Sequence, residues 1–350
     1  MPSASSVKLS CKSLWKVYGK NPEQYFTGEV GSFNVEEKFQ QLTENDSIIA
    51  CGDVQFNIPT GSIFIIMGLS GSGKSTVLRC LSRLVEPSFG KVELDGLDLL
   101  NQSPKDMIEI RRHKMGMVFQ NFGLLPHLNV LENVAFPLKA QGISKNERSA
   151  RANEMIDLVG LEGRENSYPH QLSGGQQQRV GIARSLAAEP EVWFLDEPFS
   201  ALDPLIRTQM QDEFMRLQKQ LNKTIVFVTH DFHEALRLAD TICIMKDGQV
   251  VQIGTPSEIV LAPADDYVKK FTSEVPLWKI IEAQSIMEPP DGKDVDRPSV
   301  KPDTLLEEAM RLFDGKTEEV QIVNESGECH GILTPASIIR ALYRDEKKVG

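Results

Sequence analysis

The segment Gly68-Leu69-Ser70-Gly71-Ser72-Gly73-Lys74-Ser75-Thr76, entered from the apolar run Ile63-Phe64-Ile65-Ile66-Met67, constrains the fold more than any other part of the chain. A continuous apolar run that ends in a glycine loop reads as a strand buried on both faces, which belongs to a sheet covered by helices. The loop fits G-x-x-x-x-G-K-[ST], in which glycines let successive backbone N–H groups converge on phosphate oxygens at a helix N-terminus. In that pattern Lys74 meets the β- and γ-phosphates of a nucleotide and Ser75 meets Mg²⁺.

Two further runs, Val192 to Leu195 and Ile225 to Val228, are also continuously apolar, so the expected fold class is α/β. The first ends in Asp196-Glu197, two carboxylates at the strand end where open α/β sheets place their ligands. Asp196 is expected to hold Mg²⁺, and Glu197 to orient and deprotonate an attacking water, because phosphoryl transfer asks mainly for positioning and charge stabilisation. Gln120 follows the short strand Met117-Val118-Phe119 and can offer a neutral amide to the metal or the water. His230 ends the third run and can contact the γ-phosphate, although such a histidine is also a common structural residue. Leu172-Ser173-Gly174-Gly175-Gln176 places a hydroxyl and backbone N–H groups at a helix start, a second anion site.

At 350 residues with 41% hydrophobic content, the chain has room for one large domain and a smaller one. Its apolar runs are strand-sized, and its N-terminus lacks a basic segment followed by an apolar core, so a cytoplasmic chain is expected. The net charge of −11 opposes adhesion to nucleic acid or anionic lipid, so no nucleic acid is expected as partner. Cys11, Cys51, Cys80, Cys243 and Cys329 form no C-x-x-C pair and read as small buried hydrophobes.

The chain divides into residues 1–53, with a partly helical insertion at about Asn21 to Asp46; a nucleotide domain at 54–280 with a helical lobe at about 107–180; a linker at 281–298; and a C-terminal module at 299–350. The breaker-rich Glu288-Pro289-Pro290-Asp291-Gly292 marks the boundary. The C-terminal module reads helix, strand, strand, helix. A Thr304/Glu307 capping box opens the first helix, and Glu325-Ser326-Gly327 joins the strands Val320 to Val323 and Gly331 to Leu333.

The ordered set of motifs resembles the ATP-binding cassette (ABC) ATPase family over about Val7 to Ser273. The resemblance implies a P-loop ATPase core with a helical signature lobe and an antiparallel β subdomain. It assigns Walker A to Gly68–Thr76, the Q-loop to Gln120, the signature to Leu172–Gln176, Walker B to the strand ending at Asp196 and Glu197, the D-loop to Ser200-Ala201-Leu202-Asp203 and the switch to His230. Tyr18 matches the aromatic that stacks on adenine in this family; a plain core tyrosine is the competing reading. The family pairs two cassettes head to tail, which implies a homodimer with ATP between the Walker A of one chain and the signature of the other.

Ala201-Leu202-Asp203-Pro204-Leu205-Ile206-Arg207 and Met245 to Pro256 look like the ATPase subunits of glycine betaine and proline importers. That likeness implies import of a small quaternary or N-methylated amine, such as glycine betaine, proline, choline or trimethylamine N-oxide. It also implies a membrane permease, docked beside Leu124, Leu125 and Leu128, a periplasmic or extracellular substrate-binding protein, and a peripheral place on the cytoplasmic membrane face. An exporter cassette and a soluble cassette in DNA repair or translation are the alternatives. The C-terminal unit resembles a single cystathionine-β-synthase (CBS) module, which implies pairing with its twin; Ser337 stands where adenosine-binding modules have Asp.

Overall fold

The computed structural model describes residues 6–342 apart from 27, 33, 274–277, 279, 291–296, 316 and 325. The chain forms two compact units, Met1–Ile253 and Gly254–Gly350. The strands up to the end of the first unit are β1 (Val7–Tyr18), β2 (Ile48–Pro59), β3 (Ile63–Met67), β4 (Phe89–Leu94), β5 (Leu97–Asp98), β6 (Met115–Val118), β7 (Val192–Asp196), β8 (Thr224–Thr229), β9 (Thr241–Lys246) and β10 (Gln249–Gly254).

The central sheet has the order β10-β9-β3-β8-β7-β6. Its neighbours from β9 to β6 pair in parallel, and every residue of β3, β7 and β8 is buried, as their uninterrupted apolar sequences predict. Met67 stands opposite Thr229, and Asp196 opposite Val228, so β3, β7 and β8 end at one level. The three segments that carry chemistry therefore leave the sheet side by side, at its carboxyl edge.

A second, antiparallel sheet runs β2-β1-β4-β5. The expected insertion between β1 and β2 is a 3₁₀ turn, Pro22–Tyr25, and a helix, Val35–Glu44. Asn34 starts the helix by accepting the Glu36 N–H at 3.1 Å. Phe26 and Phe39 lie 5.4 and 5.1 Å from the Trp15 ring, which closes a small core of Trp15, Val17 and Leu42.

The helical lobe contains Val130–Ala140, Lys145–Leu158 and Gly174–Ala187. Trp193 of β7 donates to Ser185 Oγ at 2.8 Å, tying the last of these helices to the sheet.

In the second unit, β11 (Ser299–Val300) pairs in parallel with β12 (Val320–Val323), and β12 pairs antiparallel with β13 (Cys329–Leu333). The hairpin is the expected one, while Glu325 of its turn and Asp291 to Asp296 after the linker prolines lie outside the described residues. Two expectations are corrected here. The helix Leu306–Met310 is preceded by Leu305 at its N-cap with no side-chain cap, so Thr304 and Glu307 form no capping box; the helix starts two residues after Thr304. Cys329 is exposed near the start of β13, whereas Cys11, Cys51, Cys80 and Cys243 are buried. Burial pushes the Cys11 and Cys243 thiols well above their ordinary range.

Candidate active site

The loop after β3 is shaped by close backbone approach. A Cβ on Gly68 (φ 149°) would stand 2.2 Å from Met245 O, and one on Gly73 (φ 95°) 2.1 Å from Ala50 O. Only glycine fits these two positions. Gly71 faces open space, and Leu69 and Ser70 are exposed beside it. The helix Lys74–Leu81 begins at Gly73 without a side-chain cap, so its first N–H groups are left for an anion, with Thr76 half-buried in its first turn. Ser72 Oγ is buried and has no hydrogen-bond partner among the described residues. Lys74 is buried, and its amine donates to Leu69 O at 2.9 Å. Burial lowers the Lys74 pKa, against the opposing pull of Glu197 and Asp196. An uncapped helix start, an orphaned hydroxyl and a desolvated ammonium together fit a polyphosphate.

Asp196, 2% exposed, closes the opposite wall. Ser75 Oγ donates to its Oδ1 at 2.7 Å, and Arg79 Nη2 to its Oδ2 at 3.0 Å. Ser75 and Arg79 are one helical turn apart and share a face, so the Arg79 contact follows from the Ser75 contact. The Ser75 hydroxyl and the Asp196 carboxylate form a hard-oxygen donor pair of the kind Mg²⁺ takes.

Glu197 adopts left-handed backbone (φ 46°), a conformation costing about 1–3 kcal/mol that its surroundings must enforce. Its N–H donates to Val228 O at 3.0 Å, and its carbonyl accepts from Ser200 Oγ at 2.9 Å. On one carboxylate oxygen, Oε2, two side chains meet: Gln120 Nε2 at 3.1 Å and His230 Nδ1 at 3.1 Å. Thus Glu197, Gln120 and His230, separated widely in sequence, form one cluster, and Glu197 acts electrostatically on Lys74 of the phosphate loop.

The other expected residues lie elsewhere in the first unit. Ser173 caps the helix Gly174–Ala187 by accepting the Gln176 N–H at 3.3 Å, while Gln176 Oε1 accepts the Ser173 N–H at 3.0 Å. A Cβ on Gly175 would stand 2.6 Å from Ile206 Cγ2, so this glycine allows close packing against the helix Pro204–Leu221, whereas one on Gly174 would meet Leu202 at an ordinary 3.6 Å. Asp203 itself caps Pro204–Leu221, accepting the Ile206 N–H at 3.1 Å. Tyr18 sits at the end of β1 opposite Ile48, half exposed, with Lys16 Nζ 4.8 Å from its ring centre. No hydrogen bond among the described residues joins these groups to Glu197.

Beyond Gln120, the backbone is held by Arg184, which sequence inspection did not single out. Its guanidinium donates to Gly123 O at 2.6 Å and Phe122 O at 3.2 Å, and burial lowers its pKa. Asn133 fixes the next turn, donating to Leu125 O and Leu128 O at 3.1 and 2.9 Å. Phe119, Leu125, Phe136 and Met117 line an apolar groove of about 470 Å³ beside this segment.

Residues 51–200 match the ABC transporter family, and residues 285–344 match the CBS domain. The trimethylamine N-oxide transport system ATP-binding protein TmoW of Pelagibacter ubique is 50% identical over 97% of this chain and 98% of its own length. The glycine betaine/proline betaine transport system ATP-binding protein ProV of Escherichia coli is 43% identical over 92% of this chain and 79% of its own length. Among solved structures, the dimeric post-hydrolysis state of the ATP-binding cassette MJ0796, bound to ADP and Pi, aligns with a TM-score of 0.59 and 36% identity, covering 71% of this chain and 98% of that one. With a phosphate loop, paired carboxylates and a signature helix in one fold, and with likeness running nearly end to end, this chain belongs to the ABC transporter family as an ATP-binding, ATP-hydrolysing chain that also carries a CBS domain.

Proposed function

We propose that this chain energises import of a small quaternary or N-methylated amine. The observation that carries the proposal is the 50% identity to a trimethylamine N-oxide transport ATPase across 97% of the chain, C-terminal unit included. The glycine betaine relatives share the same class of cargo, a compact methylated nitrogen.

In this proposal Lys74 and the N–H groups from Gly68 to Thr76 bind the β- and γ-phosphates, and Tyr18 stacks on the adenine. Ser75, Asp196 and Gln120 would hold Mg²⁺, which would supply charge neutralisation to the phosphates. Glu197 takes the proton of the attacking water, oriented by Gln120 and His230, both of which already contact its Oε2. Hydrolysis needs a second copy of the chain: its Ser173, Gly174, Gly175 and Gln176 close on the γ-phosphate, and its Asp203 lies at the junction. The division read from sequence, 1–53, 54–280, 281–298 and 299–350, is kept with one change, that 1–53 folds with the nucleotide core because β2 crosses the first boundary, and the last segment helps two chains pair.

The chain acts at the cytoplasmic membrane face as a peripheral subunit. A permease helix docks in the groove of Phe119, Leu125 and Phe136, next to the Gln120 segment, so cargo binding and ATP closure are mechanically linked. A separate substrate-binding protein delivers the amine. The test is ATP-driven uptake by the reconstituted complex, challenged with trimethylamine N-oxide, glycine betaine, choline and proline at low and high internal salt. Saturable uptake of one of these is the expected result; ATP-driven uptake of none of them removes the amine assignment.

A further inference from the structure

Resting on that catalytic assignment, we infer that Arg207 is a positioning residue that couples the loop Ser200–Asp203 to the switch at His230. Arg207 lies in the first turn of Pro204–Leu221, and its guanidinium reaches in two directions. Nη2 donates to Leu202 O at 3.1 Å, while Nη1 stands 3.6 Å from Asp231 Oδ2, immediately after His230. Its Nε is buried without a hydrogen-bond partner among the described residues, and the Arg207 side chain lines a cavity of about 20 Å³ together with Glu197, His230 and Glu234.

Asp231 is itself held rigidly. Its N–H donates to Thr229 Oγ1 at 3.0 Å, and its Oδ1 caps the next helix by accepting the Glu234 N–H at 3.2 Å. On the other side, Leu202 and Ile206 pack against Gly174 and Gly175 at the signature helix, and Ser200 holds the Glu197 carbonyl. A planar guanidinium spanning Leu202 and Asp231 behaves as a stiff link. Movement of the signature helix or of the Ser200–Asp203 loop is thereby passed to the backbone that aims His230 at Glu197. No hydrogen bond or ion pair among the described residues joins Arg207 or Asp231 to the phosphate loop, so the link acts on turnover and not on nucleotide affinity.

The experiment measures ATP turnover and binding of a fluorescent ATP analogue for the full-length chain, with Glu197→Gln as control. Arg207→Met and Asp231→Asn are each expected to lower kcat about tenfold with nucleotide affinity changed less than about twofold. The double variant should fall no further than either single one, because residues acting as a unit are not additive. Arg207→Lys, which keeps the charge but not the two-directional fork, should recover part of the rate. Multiplicative losses in the double variant, a parallel loss of nucleotide affinity or undiminished turnover would each overturn the link. If Arg207→Met does not fold, Arg207→Lys with Asp231→Asn completes the same cycle. A Glu197→Gln chain that retains wild-type turnover sinks the catalytic assignment itself, an outcome distinct from any result at Arg207.

Discussion

At the scale of single residues, the site is a set of charges arranged so that each needs the others. Burial lowers the Lys74 pKa, and the carboxylates of Glu197 and Asp196 oppose that shift. A polyphosphate takes over that role when bound, and charge-assisted hydrogen bonds are worth about 1.5–3 kcal/mol. Lys74→Ala should accordingly weaken ATP binding by about 10- to 100-fold in a fluorescent-nucleotide titration; unchanged affinity would contradict the cradle. Glu234 gives a prediction in pH. Burial raises its pKa, Asp231 adds to the rise, and the Thr229, Gln211 and Arg207 contacts oppose it. Between the ordinary carboxylate pKa and this raised value the native chain binds more protons than the unfolded chain, so stability falls as pH rises through that window. Glu234→Gln can still accept from Gln211 and should melt higher than wild type at neutral pH, with the gain vanishing below the ordinary carboxylate pKa. A gain that stays constant down to acid pH would contradict this. Gln120, Glu197 and His230 were legible in sequence because each follows an apolar strand, and strand ends converge by topology. Arg79, Arg184 and Arg207 were not, because Asp196, the Phe122 and Gly123 carbonyls and Asp231 are brought to them only by the fold.

At the scale of elements, the uninterrupted apolar runs of β3, β7 and β8 could be read directly as buried parallel strands. The two-residue β11 could not, since two residues carry no periodicity, and the Thr304 cap failed because pattern alone does not set where a short helix starts. The glycine loop illustrates what pattern leaves out. Gly71 and Gly73 both have positive φ, but only Gly73 abuts another element, the Ala50 carbonyl of β2. Gly73→Ala should therefore cost far more than Gly71→Ala, losing ATP binding and lowering the melting temperature by several degrees, against a drop of a few degrees at most for Gly71→Ala. Equal effects at the two positions in a thermal melt would show that backbone strain, and not the approach of β2, governs the loop.

At the scale of the whole molecule, the proposed function completes the site with a second chain, which makes assembly part of the chemistry. The CBS match to residues 285–344 covers one module, and its helix Pro335–Leu342 leaves Ile339 more than half exposed. A chain truncated before Glu288 should keep a folded nucleotide unit while its dimer weakens in sedimentation; an unaltered dimer would leave the C-terminal unit with no part in pairing. Whether Glu197 is the base for ATP held between two chains can be read from sedimentation of Glu197→Gln with and without Mg-ATP, together with a count of bound nucleotide. The expected result is an ATP-dependent dimer that retains one uncleaved ATP per chain and turns over at least about a hundredfold more slowly than wild type. A nucleotide-loaded monomer, or hydrolysis near the wild-type rate, would contradict it.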